Sequence, residues 1–149
     1  MATTENDYLS EKKMSQPIHC TIRVVAAVIH KNDRYLITQR RPSAVLPLLW
    51  EFPGGKVEPN ESDTEALCRE VYERLGVEIE VGQQISSVNH PYEHYSVDLH
   101  LYECKLKSEH VQTRAVYAYR WVTSSEFEQY SFTPADEASM AKLLGVNIQ

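Results

Sequence analysis

From Arg23 the chain is almost continuously apolar and β-branched, within a run spanning Ile18 to Ile29. Such a run predicts a strand buried on both faces. Asn32-Asp33 supplies turn chemistry, and Tyr35-Leu36-Ile37-Thr38-Gln39 reads as the hairpin partner. Pro42, Pro47 and Pro53 then punctuate a loop from Arg41 onward that carries an apolar patch, Leu46 to Phe52. Periodicity changes at Leu67, Val71 and Leu75, which recur at i, i+4 and i+8 and predict one buried helix stripe. Ser62 and Glu65 form a capping box at its start, Asp63 adds negative charge to the first turn, and Gly76 is the expected stop. A short strand is expected around Ile79–Val81, and a second segment over Ile85–His90. Positions 95–102 alternate strictly, with Tyr95, Val97, Leu99 and Leu101 on one face and Ser96, Asp98, His100 and Tyr102 on the other, the pattern of a half-buried strand. Another strand is expected near Val116–Val122. A last helix has Thr133 as N-cap, Pro134 and Asp136 in its first turn, and Gly145 as its stop. Residues 1–17 are polar, without periodicity, and read as a flexible N-terminal tail; residues 18–149 read as a single domain. The order strands, helix, strands, helix predicts a mixed α/β (α+β) domain rather than a regular βαβ array.

Composition narrows the function. Hydrophobic residues at 42% and charged residues at 24% are those of a globular chain. A formal charge of −6 argues against a nucleic-acid polymer as partner, which needs a basic face. No apolar run approaches the roughly 20 residues of a membrane helix, so no membrane partner is expected. The opening MATTENDYLSEKK lacks the apolar core of a secretory signal. Cys20, Cys68 and Cys104 are too widely spaced for a zinc site or a disulfide framework and read as reduced thiols, consistent with a cytoplasmic protein.

The chemistry concentrates in GGKVEPNESDTEALCREVYERLGV, residues 54–77. Gly54-Gly55 lets backbone approach a ligand that a Cβ would obstruct. On the helix that follows, Glu70 and Glu73 are expected to share the face opposite the Leu67/Val71/Leu75 stripe. Two carboxylates beside a glycine carbonyl make an oxygen-rich corner suited to Mg²⁺ or Mn²⁺. The same spacing also allows plain surface pairs, Arg69–Glu73 and Glu70–Arg74 at i, i+4.

This segment resembles the Nudix box: Gly55, Glu61, Arg69, Glu70, Val71, Glu73, Gly76 and Val77 fall in its register. Arg40, the Trp50–Lys56 run, Arg120-Trp121-Val122 and Thr133-Pro134-Ala135-Asp136 extend the resemblance over roughly residues 20–145, toward the MutT and CTP-pyrophosphohydrolase branch. The resemblance implies a Nudix-type α/β/α sandwich with a mixed central sheet. It also implies a divalent-metal hydrolase acting on a small-molecule nucleotide, most simply a triphosphate cut to monophosphate and pyrophosphate. By the same resemblance the Gly55 carbonyl, Glu70 and Glu73 serve the metal and its water. Arg69 holds the glutamates, Glu61 braces the loop, and Arg40 and Lys56 meet phosphate. Asp136 lies where this branch reads the base. A carboxylate accepts hydrogen bonds, which favours a cytidine nucleotide, or an oxidised or methylated relative, over unmodified guanine; the alternative for Asp136 is helix capping. The aromatics Tyr92, Tyr95 and Phe132 are candidates for a stacking wall. Either a monomer or a homodimer is compatible with the sequence.

Two positions depart from the pattern. Residue 74 is Arg where the box has a metal-ligand Glu, and a guanidinium accepts no hydrogen bond and ligates no cation. It pairs with Glu70 by spacing, or contacts phosphate directly as a substrate-binding residue. The late-loop Glu of the branch falls at Ala115, leaving Glu109 or Glu93 as replacements. Two functions follow: hydrolysis with the remaining ligands, or a catalytically impaired domain that binds nucleotide as a sensor module.

Overall fold

The unbroken apolar run has a direct structural reason. In the computed structural model, which describes residues 20–144, strand β1 (Cys20–Lys31) lies inside a sheet covered on both sides. Val25, Ala27 and Ile29 enter one core, while Ala26 and Val28 enter the other. The tail expected over 1–17 and the helix stop at Gly145 lie outside the described residues.

β1 turns through Asn32 and Asp33, both at positive φ (52° and 64°), into β2 (Arg34–Gln39). This pair of left-handed residues is the geometry that a tight hairpin demands and Asn and Asp tolerate. The Arg41 loop is not purely irregular, as expected from its prolines. It contains β3 (Trp50–Glu51), on the edge of β2, and β4 (Gly54–Lys56), antiparallel to β1. Strands this short carry no periodic signal. Helix α1 (Asp63–Leu75) follows, with Ser62 and Glu65 exchanging both capping bonds and Gly76 closing it at φ 69°.

Strand β5 runs unbroken from Ile79 to Pro91, correcting the two expected segments. Register shifts between Val81 and Ser86 bend it without ending it, beside Gly82. β6 (Tyr95–Leu106) pairs antiparallel with β5 and parallel with β1, from Cys20↔Tyr95 to Ile29↔Cys104. β7 (Ala118–Val122) pairs with β2, a one-turn 3₁₀ helix spans Ser124–Gln129, and α2 covers Pro134–Leu144. The main path of the mixed sheet is β3-β2-β1-β6-β5. α1 packs Ala66, Leu67, Val71 and Leu75 on one face, while α2 places Ala135 and Met140 over the other. This is the expected α/β/α sandwich.

The alternation in β6 is real, yet its polar face is not left to water. Tyr102 donates its hydroxyl to Asp63 at 2.5 Å, and Arg23 donates to both Asp63 oxygens at 2.8 and 2.7 Å. The start of α1 is thereby fastened to β1 and β6. Arg23 beside it holds the Asp63 carboxyl down at about 2. A depressed carboxyl pKa stabilises the fold above the unfolded value and is lost as pH falls from about 4 to about 2. Asp63→Asn should therefore cost about 1 kcal/mol at neutral pH, discounted for the exposure of Arg23, and almost nothing near pH 2. Urea unfolding at both pH values checks this; an equal loss at both would contradict it.

Candidate active site

Gly54 and Gly55 lie on β4 against β1, opposite Ala26 and Val25. A Cβ at Gly54 would stand 1.9 Å from the Val25 carbonyl oxygen, so the ladder admits only glycine there. At Gly55 the obstruction would be a side chain rather than the ladder, because a Cβ would fall 2.2 Å from Cδ of Glu70. The Glu70 carboxylate therefore rests directly on the β4 backbone.

Arg69 ties this corner together. Its guanidinium donates to Glu61 at 2.6 and 2.9 Å, to Glu70 at 3.1 Å, to Glu73 at 3.4 Å, and to the Lys56 carbonyl at 3.0 Å. Glu61 also accepts from the Glu58 N–H at 2.9 Å. The loop between β4 and α1 is thus strapped to the helix through one side chain. Arg69 and the Glu58 amide hold the Glu61 carboxyl down at about 2, and the carboxylates in turn raise the Arg69 pKa.

The two helix glutamates are not equivalent, which corrects the expectation that both occupy the outer face. The Glu70 side chain is 12% exposed and that of Glu73 57%. Glu70 turns toward β4 because two guanidinium groups draw it inward. Arg74 Nε donates to Oε1 at 2.8 Å, and Arg69 donates to Oε2.

A second group, in which the sequence singles out Arg40 and Asp136 but not Glu51, adjoins the first. Arg40 donates to Glu51 at 3.2 and 3.3 Å and to the Val45 carbonyl at 2.6 Å. Val45 precedes a strained segment in which Leu46 and Leu48 both have positive φ, 56° and 64°. Arg40 also exchanges main-chain bonds with Leu48 and Leu49, so the loop wraps around it. Burial pushes the Glu51 carboxyl up while Arg40 and Arg74 oppose the shift. Asp136 is buried at the start of α2, where its oxygens accept from the Phe52 N–H at 3.1 Å and the Thr133 hydroxyl at 2.5 Å. Burial, and then the Glu51 charge, push its pKa up to about 7. The signal that would have found Glu51 is its place between the apolar Trp50 and Phe52, both buried, three residues before the glycine pair.

Other candidates separate. Tyr92 and Tyr95 stack with centroids 5.1 Å apart, and the Tyr92 hydroxyl accepts from the Ala135 N–H at the start of α2. Phe132 instead joins Phe52 and Phe127 in the core. Lys56 is exposed on β4. Glu109 pairs with Lys31 and Glu93 with His94, both highly exposed. Ala115 does reach the site, since its N–H and that of Arg114 donate to the Arg74 carbonyl at 3.1 and 3.0 Å. The two departures from the box therefore meet in space.

The donors fit a hard divalent cation: carboxylate oxygens beside a bare backbone, where a side chain at Gly55 would fill the approach. Among the described residues no three His, Cys, Asp or Glu side chains converge on one point, so part of any coordination shell must come from main-chain and ligand oxygens.

A carboxylate–arginine corner on a glycine-bearing edge strand of an α/β/α sandwich defines the class, and comparison with known proteins agrees. The NUDIX domain model matches residues 24–142. The chain is 40% identical over 126 residues to the CTP pyrophosphohydrolase of Escherichia coli, covering 80% of this chain and 92% of that protein. It is 29% identical over 109 residues to an 8-oxo-dGTP diphosphatase of Buchnera aphidicola, covering 73% and 82%. The solution structure of the E. coli ORF135 protein superposes with a TM-score of 0.70 at 33% identity, covering 85% of this chain and 91% of that one. This chain belongs to the Nudix family, and it is a Nudix hydrolase.

Gly55→Ala should keep the fold and displace Glu70. Its activity is expected to fall about a hundredfold, the scale of an ångström-sized misplacement, with the circular dichroism spectrum unchanged. Full activity would show that Glu70 need not rest on β4.

Proposed function

We propose that this chain hydrolyses a nucleoside diphosphate linked to a further group, in the simplest case a nucleoside triphosphate, releasing the monophosphate and pyrophosphate. The observation that carries the reading is the Glu70 carboxylate, pressed on Gly55 and strapped by Arg69 to Glu61 and Glu73. The names of the E. coli and Buchnera relatives support a nucleotide substrate. The Gly55 carbonyl, Glu70 and Glu73 would hold Mg²⁺ or Mn²⁺, which when bound would neutralise charge developing on the phosphate oxygens.

The chain's own residues do the rest. Arg69 keeps the glutamates in place. Glu61 fixes the loop, so that Gly55 and α1 hold a constant separation. Glu73, the more exposed carboxylate, accepts the proton of the attacking water as the water oxygen bonds to phosphorus and the P–O bond to the departing pyrophosphate breaks. Arg40 and Lys56 supply donors for phosphate. At the other end, Asp136 and Glu51 form an acceptor-rich corner beside the stacked Tyr92 and Tyr95, a chemistry that matches the amino edge of cytosine or of an oxidised or methylated base. Work of this kind suits a cytoplasmic monomer or homodimer. No described helix is long and apolar enough to cross a membrane.

The Arg74–Glu70 pair is the one observation that favours a second reading, an impaired domain that binds nucleotide as a sensor. Product analysis across a nucleotide panel with Mg²⁺ or Mn²⁺ decides. Metal-dependent pyrophosphate release supports hydrolysis; tight nucleotide binding without turnover supports the sensor. Asp136→Asn should change the ranking of bases more than the overall rate, whereas a uniform loss across the panel would assign Asp136 to helix capping alone.

A further inference from the structure

Arg74 lies in the last turn of α1, and its simplest role there is that of a cation favourable to the helix dipole and paired at i, i+4. Three observations point further. First, its side chain is directed inward rather than to solvent: Nε lies 2.8 Å from Glu70, itself only 12% exposed. Second, its charge reaches Glu51, where it opposes the effect of burial. Third, its carbonyl is capped by the N–H groups of Arg114 and Ala115, so the helix end that carries it is fastened to the loop where the second expected carboxylate is missing. Arg41 fastens that loop again, donating to the Arg114 carbonyl at 2.7 Å.

The ionic balance is informative. Glu61 has Arg69, Glu51 has Arg40, and Glu70 has Arg74 together with Arg69. Each of these three mostly buried carboxylates already has a guanidinium partner before any metal arrives. With a carboxylate at position 74, the same corner would lose one positive charge and gain one negative, and would require a cation to compensate.

We propose that Arg74 is a resident cation of this site, competing with a divalent ion for Glu70 and offering its guanidinium to substrate phosphate. The site consequently takes up metal weakly on its own and holds the phosphates of a nucleotide without metal. This inference rests on the proposed reading of Glu70 as a metal ligand.

The test compares the full chain with Arg74→Glu and Arg74→Gln, using Mn²⁺ binding followed by electron paramagnetic resonance and, in chelator, binding of a non-hydrolysable nucleoside triphosphate. Arg74→Glu should bind Mn²⁺ about tenfold or more tightly than the parent, and a further Glu70→Gln change should abolish that gain. Arg74→Gln, which removes the charge but keeps a polar side chain with N–H donors, should weaken metal-free nucleotide binding by about tenfold. Equal Mn²⁺ affinity in parent and Arg74→Glu, or unchanged metal-free nucleotide binding in Arg74→Gln, would overturn the proposal and leave the hydrolase reading standing. A gain that survives Glu70→Gln would overturn both, because the ion would then not be at Glu70. If Arg74→Glu does not fold, the Arg74→Gln measurement alone decides.

Discussion

The bidentate hold of Arg69 on Glu61 is the interaction on which the rest of the site depends. A planar guanidinium has several donors in fixed directions, and here they reach three carboxylates and one carbonyl. Those acceptors belong to both sides of the turn between β4 and α1. Without that strap, Gly55 and Glu70 would be joined only by the loop between β4 and α1 and the helix cap. With it, an edge strand and a helix become one rigid frame. Gly54 secures the other side of the frame by fitting against Val25, where no side chain can stand. The capping box and the Asp63–Arg23–Tyr102 group fasten the start of the helix to the sheet.

Such a frame concentrates charge, and burial makes concentrated charge costly unless it is paired. The chain meets this with arginine. Arg40, Arg69 and Arg74 each face a carboxylate that is largely shielded from water. The only carboxylate of the group without a cation partner is Asp136, which accepts from an amide and a hydroxyl and whose pKa burial raises toward neutrality. The site is thus divided into an ion-paired half near α1 and a half near α2 where burial favours the neutral form of Asp136.

Much of this was legible in the sequence because it depends on local rules. The capping box, the Gly76 stop and the Leu67/Val71/Leu75 stripe follow from the chemistry of a few neighbouring residues, and the structure repeats each one. The apolar run in β1 announces two covered faces. What escaped depends on distant partners. β3 and β4 are too short for a period of two to appear, and only pairing with β1 and β2 makes them strands. β5 read as two pieces because a bulge interrupts alternation without interrupting the strand. Glu70 and Glu73 looked alike on a helical wheel, and the difference between them comes from Gly55 and Arg74. Glu51 was hidden in a segment read as loop, and its importance follows from Arg40, eleven residues away.

The central claim is that Glu70, held against Gly55 by the Arg69 frame, is where the divalent ion and the nucleotide phosphates meet. The most direct measurement is a crystal structure with Mn²⁺ and a non-cleavable nucleoside triphosphate, read by anomalous scattering. The account predicts a manganese peak bonded to Glu70 and within reach of the Gly55 carbonyl and a phosphate oxygen. A peak bonded elsewhere, with Glu70 still paired only to arginine, would contradict it.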